Sequence, residues 1–115
     1  LSRMHTNEHR RPCISIASTD KELLQFIQPL SGGTITNKKN YDPAHHKDSY
    51  TLTIKKKEDV LSLLTHISPY LRVEKKRKRA QWILMEYDKV TPRNGKYNPK
   101  LLEQKLAFEN DFFNI

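Results

Sequence analysis

The chain has 115 residues and carries 21 Lys and Arg against 13 Asp and Glu, which gives a formal net charge of +8. Its hydrophobic fraction of 36% is enough for one domain with a modest core, so disorder throughout is excluded. The positive charge favours polyanionic partners over neutral substrates. No apolar run approaches the roughly 20 residues of a membrane-spanning helix. We therefore expect a soluble protein that does not bind membranes.

Cys13 is the only cysteine, which excludes an intrachain disulfide and a zinc site built from several cysteines. We therefore expect an intracellular, reducing compartment, such as an organelle or a bacterial or archaeal cytoplasm. The first residues contain neither an apolar signal-peptide core nor a cleavage motif. Because the sequence opens on Leu1 rather than Met, we expect further residues upstream.

A half-buried strand is predicted from Arg11 to Ala17, because Ile14 and Ile16 alternate with polar residues. The preceding residues, Leu1 to His9, are interpreted as the end of an earlier strand.

A helix is predicted from Asp20, where Thr19 and Glu22 form a capping-box pair. We expect it to pack one apolar stripe inward, formed by Leu23, Phe26, Ile27 and Leu30. Pro29 and the Ser31-Gly32-Gly33 segment are expected to end it.

A long hairpin is predicted next, with strands from Thr34 to Tyr41 and from Tyr50 to Lys55. Its loop, Asp42 to Ser49, is polar and contains Pro43.

Three helices are predicted in the second half of the chain. The first runs from Glu58 to Ser68 and ends at Pro69, and the second runs from about Lys75 to Asp88. The last begins at Pro99 after an Asn98 cap. The apolar residues expected on the last two are Ala80, Ile83, Leu84 and Tyr87, and then Leu102, Leu106, Phe108, Phe112 and Phe113.

These elements predict one α+β domain over residues 1–115, an antiparallel sheet with one face backed by helices. The other face carries short hydroxyls among Lys, Arg and Asn side chains. Such groups suit the reading of base edges in a DNA major groove, while the lysines bind phosphates. The alternative is an ordinary solvated sheet face, since Thr and Lys are common on exposed strands.

Five consecutive cations run from Lys75 to Arg79, between a buried apolar turn and an amphipathic helix. A run of this kind indicates either contact with a nucleic acid backbone, a solvated helix face or a nuclear-localisation-like signal.

Several segments together resemble the LAGLIDADG homing endonuclease family. They are ISIASTDKELLQFI, the Gly32-Gly33 turn, SYTLTIKKKEDVLSLLTHISPYL, and the Lys-rich approach to RAQWILMEY, covering about Cys13 to Asp88. The resemblance implies a saddle-shaped sheet that sits on DNA. The family's name-giving helix, which ends in a metal-binding acidic residue and forms the interface between domains, is not in this sequence, whose only glycines are Gly32, Gly33 and Gly95. We therefore expect a half-saddle truncated at its N-terminal side.

The resemblance also implies site residues and partners. Supporting catalytic roles fall on Lys76 and, since Thr19 is assigned to capping, on Ser18. DNA contacts are expected from Arg11, Ser15, Thr34, Thr36, Lys38, Lys39, Asn40, Lys47, Thr51, Thr53, Lys55 and Lys75. Mg²⁺ is the cofactor expected of a complete enzyme, and none is expected to bind this chain alone. Cleavage then requires a motif helix from upstream or from a second copy.

The expected partner is double-stranded DNA, so the chain is interpreted as the DNA-recognition domain of a homing endonuclease. The alternative is a non-catalytic DNA-binding regulator or an intron-RNA-binding maturase of the same fold. A third interpretation is a basic structural or ribosome-associated protein.

Other candidate sites are weaker. His45 and His46 beside Asp42 and Asp48, or His5 with His9, do not supply the converging ligands of a metal site. Cys13 lacks an identifiable His base for a nucleophile. Trp82, Phe108, Phe112 and Phe113 are expected in the core rather than in a base-stacking platform.

Overall fold

The protein is described by a computed structural model that covers residues 1–115. The fold is α+β, with three strands in one antiparallel sheet and four α-helices. In chain order the elements are β1 (Ile14–Ser18), α1 (Lys21–Ser31), β2 (Thr34–Lys38), β3 (Ser49–Ile54), α2 (Lys57–Ile67), α3 (Glu74–Glu86) and α4 (Pro99–Phe113). Short 3-10 turns cover Ser68–Tyr70 and Asp88–Val90.

The chain divides into two compact units, residues 11–60 and residues 1–10 with 61–115. The boundary falls within α2. Whether the two units fold as one domain stays a prediction. No helix is both long enough and apolar enough to cross a bilayer.

The sheet of the first unit has the order β1-β3-β2, with β3 antiparallel to both neighbours. Helix α1 links β1 to β2 and packs against all three strands. Leu52 and Ile54 of β3 are fully buried, as is Leu24 of α1. Alternation along the strands therefore directs one face of the sheet to the apolar interior of this unit.

The predicted strands are present but shorter. β1 begins at Ile14 rather than Arg11, and β2 ends at Lys38 rather than Tyr41. Residues 1–9 contain no strand, only an isolated β-bridge at Ser2, and the backbone N–H of Glu8 closes a turn by donating to His5 O at 3.1 Å.

The caps of α1 differ from the prediction. Asp20, not Thr19, is the N-cap, and its Oδ1 accepts hydrogen bonds from the backbone N–H groups of Glu22 and Leu23. Pro29 does not end the helix as predicted, since it lies inside α1, two residues before the last helical residue. The helix ends at Gly32, whose φ is +74° and whose N–H donates to Gln28.

The prediction of the inward stripe of α1 is wrong. Leu24 is fully buried, whereas Leu23, Phe26 and Leu30 are 46%, 72% and 78% exposed. The inward positions are Leu24, Ile27, Gln28 and Ser31, which have the same helical spacing as the predicted set. The polar groups among them are satisfied locally, since Gln28 Nε2 donates to Gly33 O and Ser31 Oγ donates to Ile27 O.

The second unit contains most of the aromatic residues of the core. Ala80, Ile83, Tyr87, Phe108 and Phe112 are buried. Leu84 is only half-buried, and Leu102, Leu106 and Phe113 are exposed, so their predicted core positions are wrong. Trp82 stacks on Phe108 at 6.0 Å between ring centroids, and its Nε1 donates to Phe108 O.

Helix α4 begins as predicted, because Asn98 Oδ1 accepts from Leu101 N at 2.7 Å and Pro99 follows. Its inner face also buries a cation, since Lys105 is 1% exposed. Lys105 Nζ donates to Thr91 Oγ1 at 2.8 Å and lies 4.2 Å from the centroid of the Tyr87 ring. The hydroxyl and the ring offset the cost of burying this charge.

We predict that truncations on the inward and the outward side of α1 have unequal effects. Leu24→Ala should lower the free energy of unfolding by about 2–5 kcal/mol, because it empties a fully buried site. Phe26→Ala should change it by less than about 0.5 kcal/mol, because that ring is largely in solvent. Urea unfolding followed by circular dichroism measures both. Equal losses would contradict the observed orientation of α1.

Candidate nucleic-acid interface

Hydroxyl side chains form two rows across the exposed face of the sheet. In the first row Ser15 pairs with Thr53, and Thr53 pairs with Thr34. In the second, Thr51 lies between Ala17 and Thr36. These residues alternate with Ile16, Leu52 and Ile35, so they share the face opposite the apolar one. The structure thus brings together Ser15, Thr34, Thr36, Thr51 and Thr53, as predicted from the sequence.

Lysines lie at both ends of this hydroxyl surface. Lys38 ends β2 and belongs to the alternating set that contains Thr34 and Thr36. Lys55 follows β3 directly. Both side chains are exposed. The surface therefore offers neutral donors and acceptors at its centre and positive charge at its margins.

An open groove lies on this face. It is lined by Gly33, Thr34, Thr36, Thr53, Lys55, Lys56 and Asp59. The site residues expected from the sequence did not include Lys56 and Asp59, because their place beside β2 depends on the pairing of β2 with β3. The one local indication of Lys56 as a site residue was the run Lys55-Lys56-Lys57, which continues the positive charge beyond the end of the strand.

Gly33 sets the close approach of β2 to β3. Its φ is +102°, and a Cβ added there would lie 2.6 Å from Thr53 O and 2.8 Å from Ile54 Cγ1. Only glycine fits this combination of backbone angle and space.

The loop between β2 and β3 is held by side-chain hydrogen bonds. Asn40 Nδ2 donates to His46 O at 2.8 Å and to Asp48 Oδ1 at 3.1 Å, and Asn40 Oδ1 accepts from Asp42 N. His45 Nδ1 lies 2.9 Å from both carboxylate oxygens of Asp42. The Asn40 amide is thus engaged within the loop, while its predicted contact with DNA stays a prediction.

Three other predicted contacts are solvent-exposed cations near the sheet. Lys39 and Lys47 belong to the loop between β2 and β3, and Lys39 Nζ lies 4.9 Å from the ring centroid of Tyr41. Arg11 is exposed and forms an isolated β-bridge before β1, outside the register of β1 with β3.

Ser18 lies on the other face of the sheet. It alternates with Ser15 and is the last residue of β1, opposite Tyr50. Its Oγ accepts a hydrogen bond from Asp20 N at 3.0 Å, so the hydroxyl supports the start of α1. The supporting catalytic role implied by the resemblance stays a prediction.

The cationic run belongs to the first turns of α3. Lys75 and Lys76 are exposed there, whereas Lys78 Nζ forms an ion pair of 3.0 Å with Glu74. The hydrogen bond from Lys78 and its charge lower the pKa of Glu74. Arg79 rests on aromatic rings, 4.8 Å from the centroid of Phe112.

The resemblance implies a magnesium ion, which proteins usually hold through one or two carboxylates together with water and phosphate oxygens. No three His, Cys, Asp or Glu side chains come together in a group that could hold a metal ion. Asp59 is the one carboxylate in the groove, and its neighbours there are hydroxyls and lysines.

Comparison with protein-family models finds no match, and comparisons with curated proteins and with solved structures find no significant similarity.

We predict that Gly33→Ala weakens the fold more than Gly95→Ala. Both residues have positive φ, but nothing lies within 4 Å of a Cβ added at Gly95. The first change should cost about 2–4 kcal/mol, from backbone strain and a clash with β3, and the second about 1–2 kcal/mol from strain alone. Urea unfolding of the two variants gives the comparison, and similar losses would contradict the close approach at Gly33.

Proposed function

We propose that the unit of residues 11–60 binds double-stranded DNA through the exposed face of its sheet. In this proposal the chain is the recognition part of a LAGLIDADG-type homing endonuclease. The observation that carries the proposal is the two rows of hydroxyls, one across β1, β3 and β2 and one across β3 and β2, with Lys38 and Lys55 at their margins.

The chemistry of the rows suits base edges. Thr34, Thr36 and Thr53 each provide one donor and two acceptors on a short side chain of fixed reach. Base pairs present distinct patterns of donors and acceptors in the major groove, which is wide enough for a two-stranded β-ribbon. The hydroxyls would therefore contact bases, while Lys38 and Lys55 neutralise phosphates.

The same face favours a duplex over a single strand. Its residues are Ser15, Ala17, Thr34, Thr36, Lys38, Thr51, Thr53 and Lys55, and none is aromatic. Single-stranded nucleic acids are usually bound by stacking of unpaired bases on aromatic rings. The bases of a duplex are already stacked and paired with each other, so a protein that binds a duplex needs no aromatic ring for stacking.

Magnesium-dependent cleavage would require acidic residues from another segment or from a second copy of the chain. Divalent ions in such reactions are held by carboxylates against the scissile phosphate. In a complete enzyme of this kind, Lys76 and Ser18 would take the supporting roles that the resemblance assigns to them. Nicking of a DNA site by this chain alone would contradict this part of the proposal.

The test begins with a duplex selected from a random library by the intact protein. Fluorescence anisotropy in a salt series then measures its affinity. Neutralising ~6 phosphates should make the affinity fall with about the fifth power of salt concentration. A response independent of salt would contradict the role of the lysines.

We predict two different effects of substitution. Lys38→Ala and Lys55→Ala should each weaken all duplexes uniformly and reduce the salt slope by about 1. Thr34→Val and Thr53→Val keep the side-chain shape but remove a hydroxyl, so they should change the preferred bases and leave the salt slope intact. Repeated selection with each variant measures the base preference.

Lys21→Ala is the matched control. Lys21 is exposed on α1, which packs on the other face of the sheet. If Lys21→Ala weakens binding as much as Lys38→Ala, the affinity for DNA depends on the net charge of the protein rather than on the exposed face of the sheet. Preferential binding of RNA would instead support the maturase or the ribosome-associated interpretation.

A further inference from the structure

A second cationic surface lies in the unit of residues 1–10 and 61–115, around the last turn of α4. Phe113 is 46% exposed there, whereas the adjacent Phe112 is buried. The Arg10 guanidinium lies 5.0 Å from the centroid of the Phe113 ring, and that of Arg79 lies 6.0 Å from it. Two guanidinium groups thus contact one half-exposed aromatic ring.

The charges in this cluster are not balanced. Glu109 is its one buried carboxylate, and it accepts a hydrogen bond from Arg10 N at 2.8 Å and lies 3.6 Å from the Arg10 guanidinium. Arg79 rests on the rings instead, and its Nε is buried without a hydrogen-bond acceptor. Lys75 is exposed one turn earlier on α3, on the same helical side as Arg79. The surface therefore has an excess of positive charge.

The ring is also well fixed. Phe113 meets Phe112 edge to face, with centroids 5.1 Å apart, and Phe112 is itself covered by Arg79 at 4.8 Å. A flat ring that is already ordered loses little entropy when a second flat group stacks on it. An anion beside it would give the Arg79 guanidinium a partner for its outer N–H groups.

An unpaired nucleotide combines these two features, because it carries a flat base and a phosphate. An acidic peptide has the negative charge but need not have a flat group. We propose that Phe113, Arg79 and Arg10 form a site for single-stranded nucleic acid. One base packs against the exposed part of the Phe113 ring, beside the guanidinium groups that lie over it, and the adjacent phosphates contact Arg79 and Lys75.

This site is independent of the proposed duplex surface. The residues of the duplex surface belong to the unit of residues 11–60 and include no aromatic ring, whereas this site is centred on one. The two surfaces should therefore prefer different forms of nucleic acid.

The test measures the anisotropy of fluorescein-labelled single-stranded oligo(dT) and oligo(U), together with the selected duplex. Phe113→Leu keeps an apolar side chain but removes the ring, and Arg79→Gln removes the charge. Each should weaken single-strand binding about tenfold, the size expected for one lost base stack or phosphate contact. Each should leave duplex binding unchanged. Lys38→Ala should give the opposite pattern.

Leu106→Ala is the control for loss of exposed apolar surface, since Leu106 is an exposed leucine of the same helix. It should leave single-strand binding intact, and thermal unfolding of every variant establishes that the fold is retained. In addition, Phe113→Trp in a Trp82→Phe background should show fluorescence quenching when oligo(U) stacks on the new indole.

Three results would overturn the inference. They are equal effects of Phe113→Leu and Leu106→Ala, the absence of quenching at saturating oligo(U), and displacement of the oligonucleotide by poly-glutamate at equal charge concentration. The last would indicate an acidic-peptide site. Failure of duplex binding with single-strand binding intact would contradict the proposed function and leave this inference standing.

Discussion

The pairing of β3 with a strand on either side is the constraint on which the proposed duplex surface depends. Side chains of a strand alternate between faces, so a slip of one residue would turn Thr34 toward α1 and Ile35 toward solvent. Gly33 opposes such a slip, because its backbone lies against Thr53 O, beside the pair formed by Thr34 and Thr53. Two buried residues of β3, Leu52 and Ile54, fix the orientation of the central strand from the other face.

Local patterns in the sequence located the three strands and the start of α4, but not the ends of β1 and β2 or the inner face of α4. Alternation of apolar and polar residues located β3 almost to the residue, and Asn98 before Pro99 located the start of α4. The orientation of α1 was not predictable in the same way, because the inward positions have the same spacing as the apolar set and include the polar residues Gln28 and Ser31. Leu24 rather than Phe26 faces inward because α1 packs against strands that are distant in the sequence. A local sequence pattern carries no information about that packing. The groove position of Asp59 likewise depends on tertiary structure.

The cationic run of α3 shows why a charge pattern does not by itself define a surface. Five adjacent cations point in different directions around a helix, since successive residues are about 100° apart. Lys78 is engaged with Glu74, Arg79 covers two aromatic rings, and Lys75 and Lys76 extend into solvent. Each cation therefore has its own environment. The run alone could not distinguish the cations that have partners within the chain from those that extend into solvent.

The burial of Lys105 has a practical consequence for chemical labelling. Its amine is enclosed by Thr91 and Tyr87, whereas most other lysines of the chain are exposed. Acylating reagents should therefore modify the surface amines quickly and reach this one only when the surrounding helices separate. Mass spectrometry of a single tryptic region would then follow the opening of that core in solution, without any engineered probe.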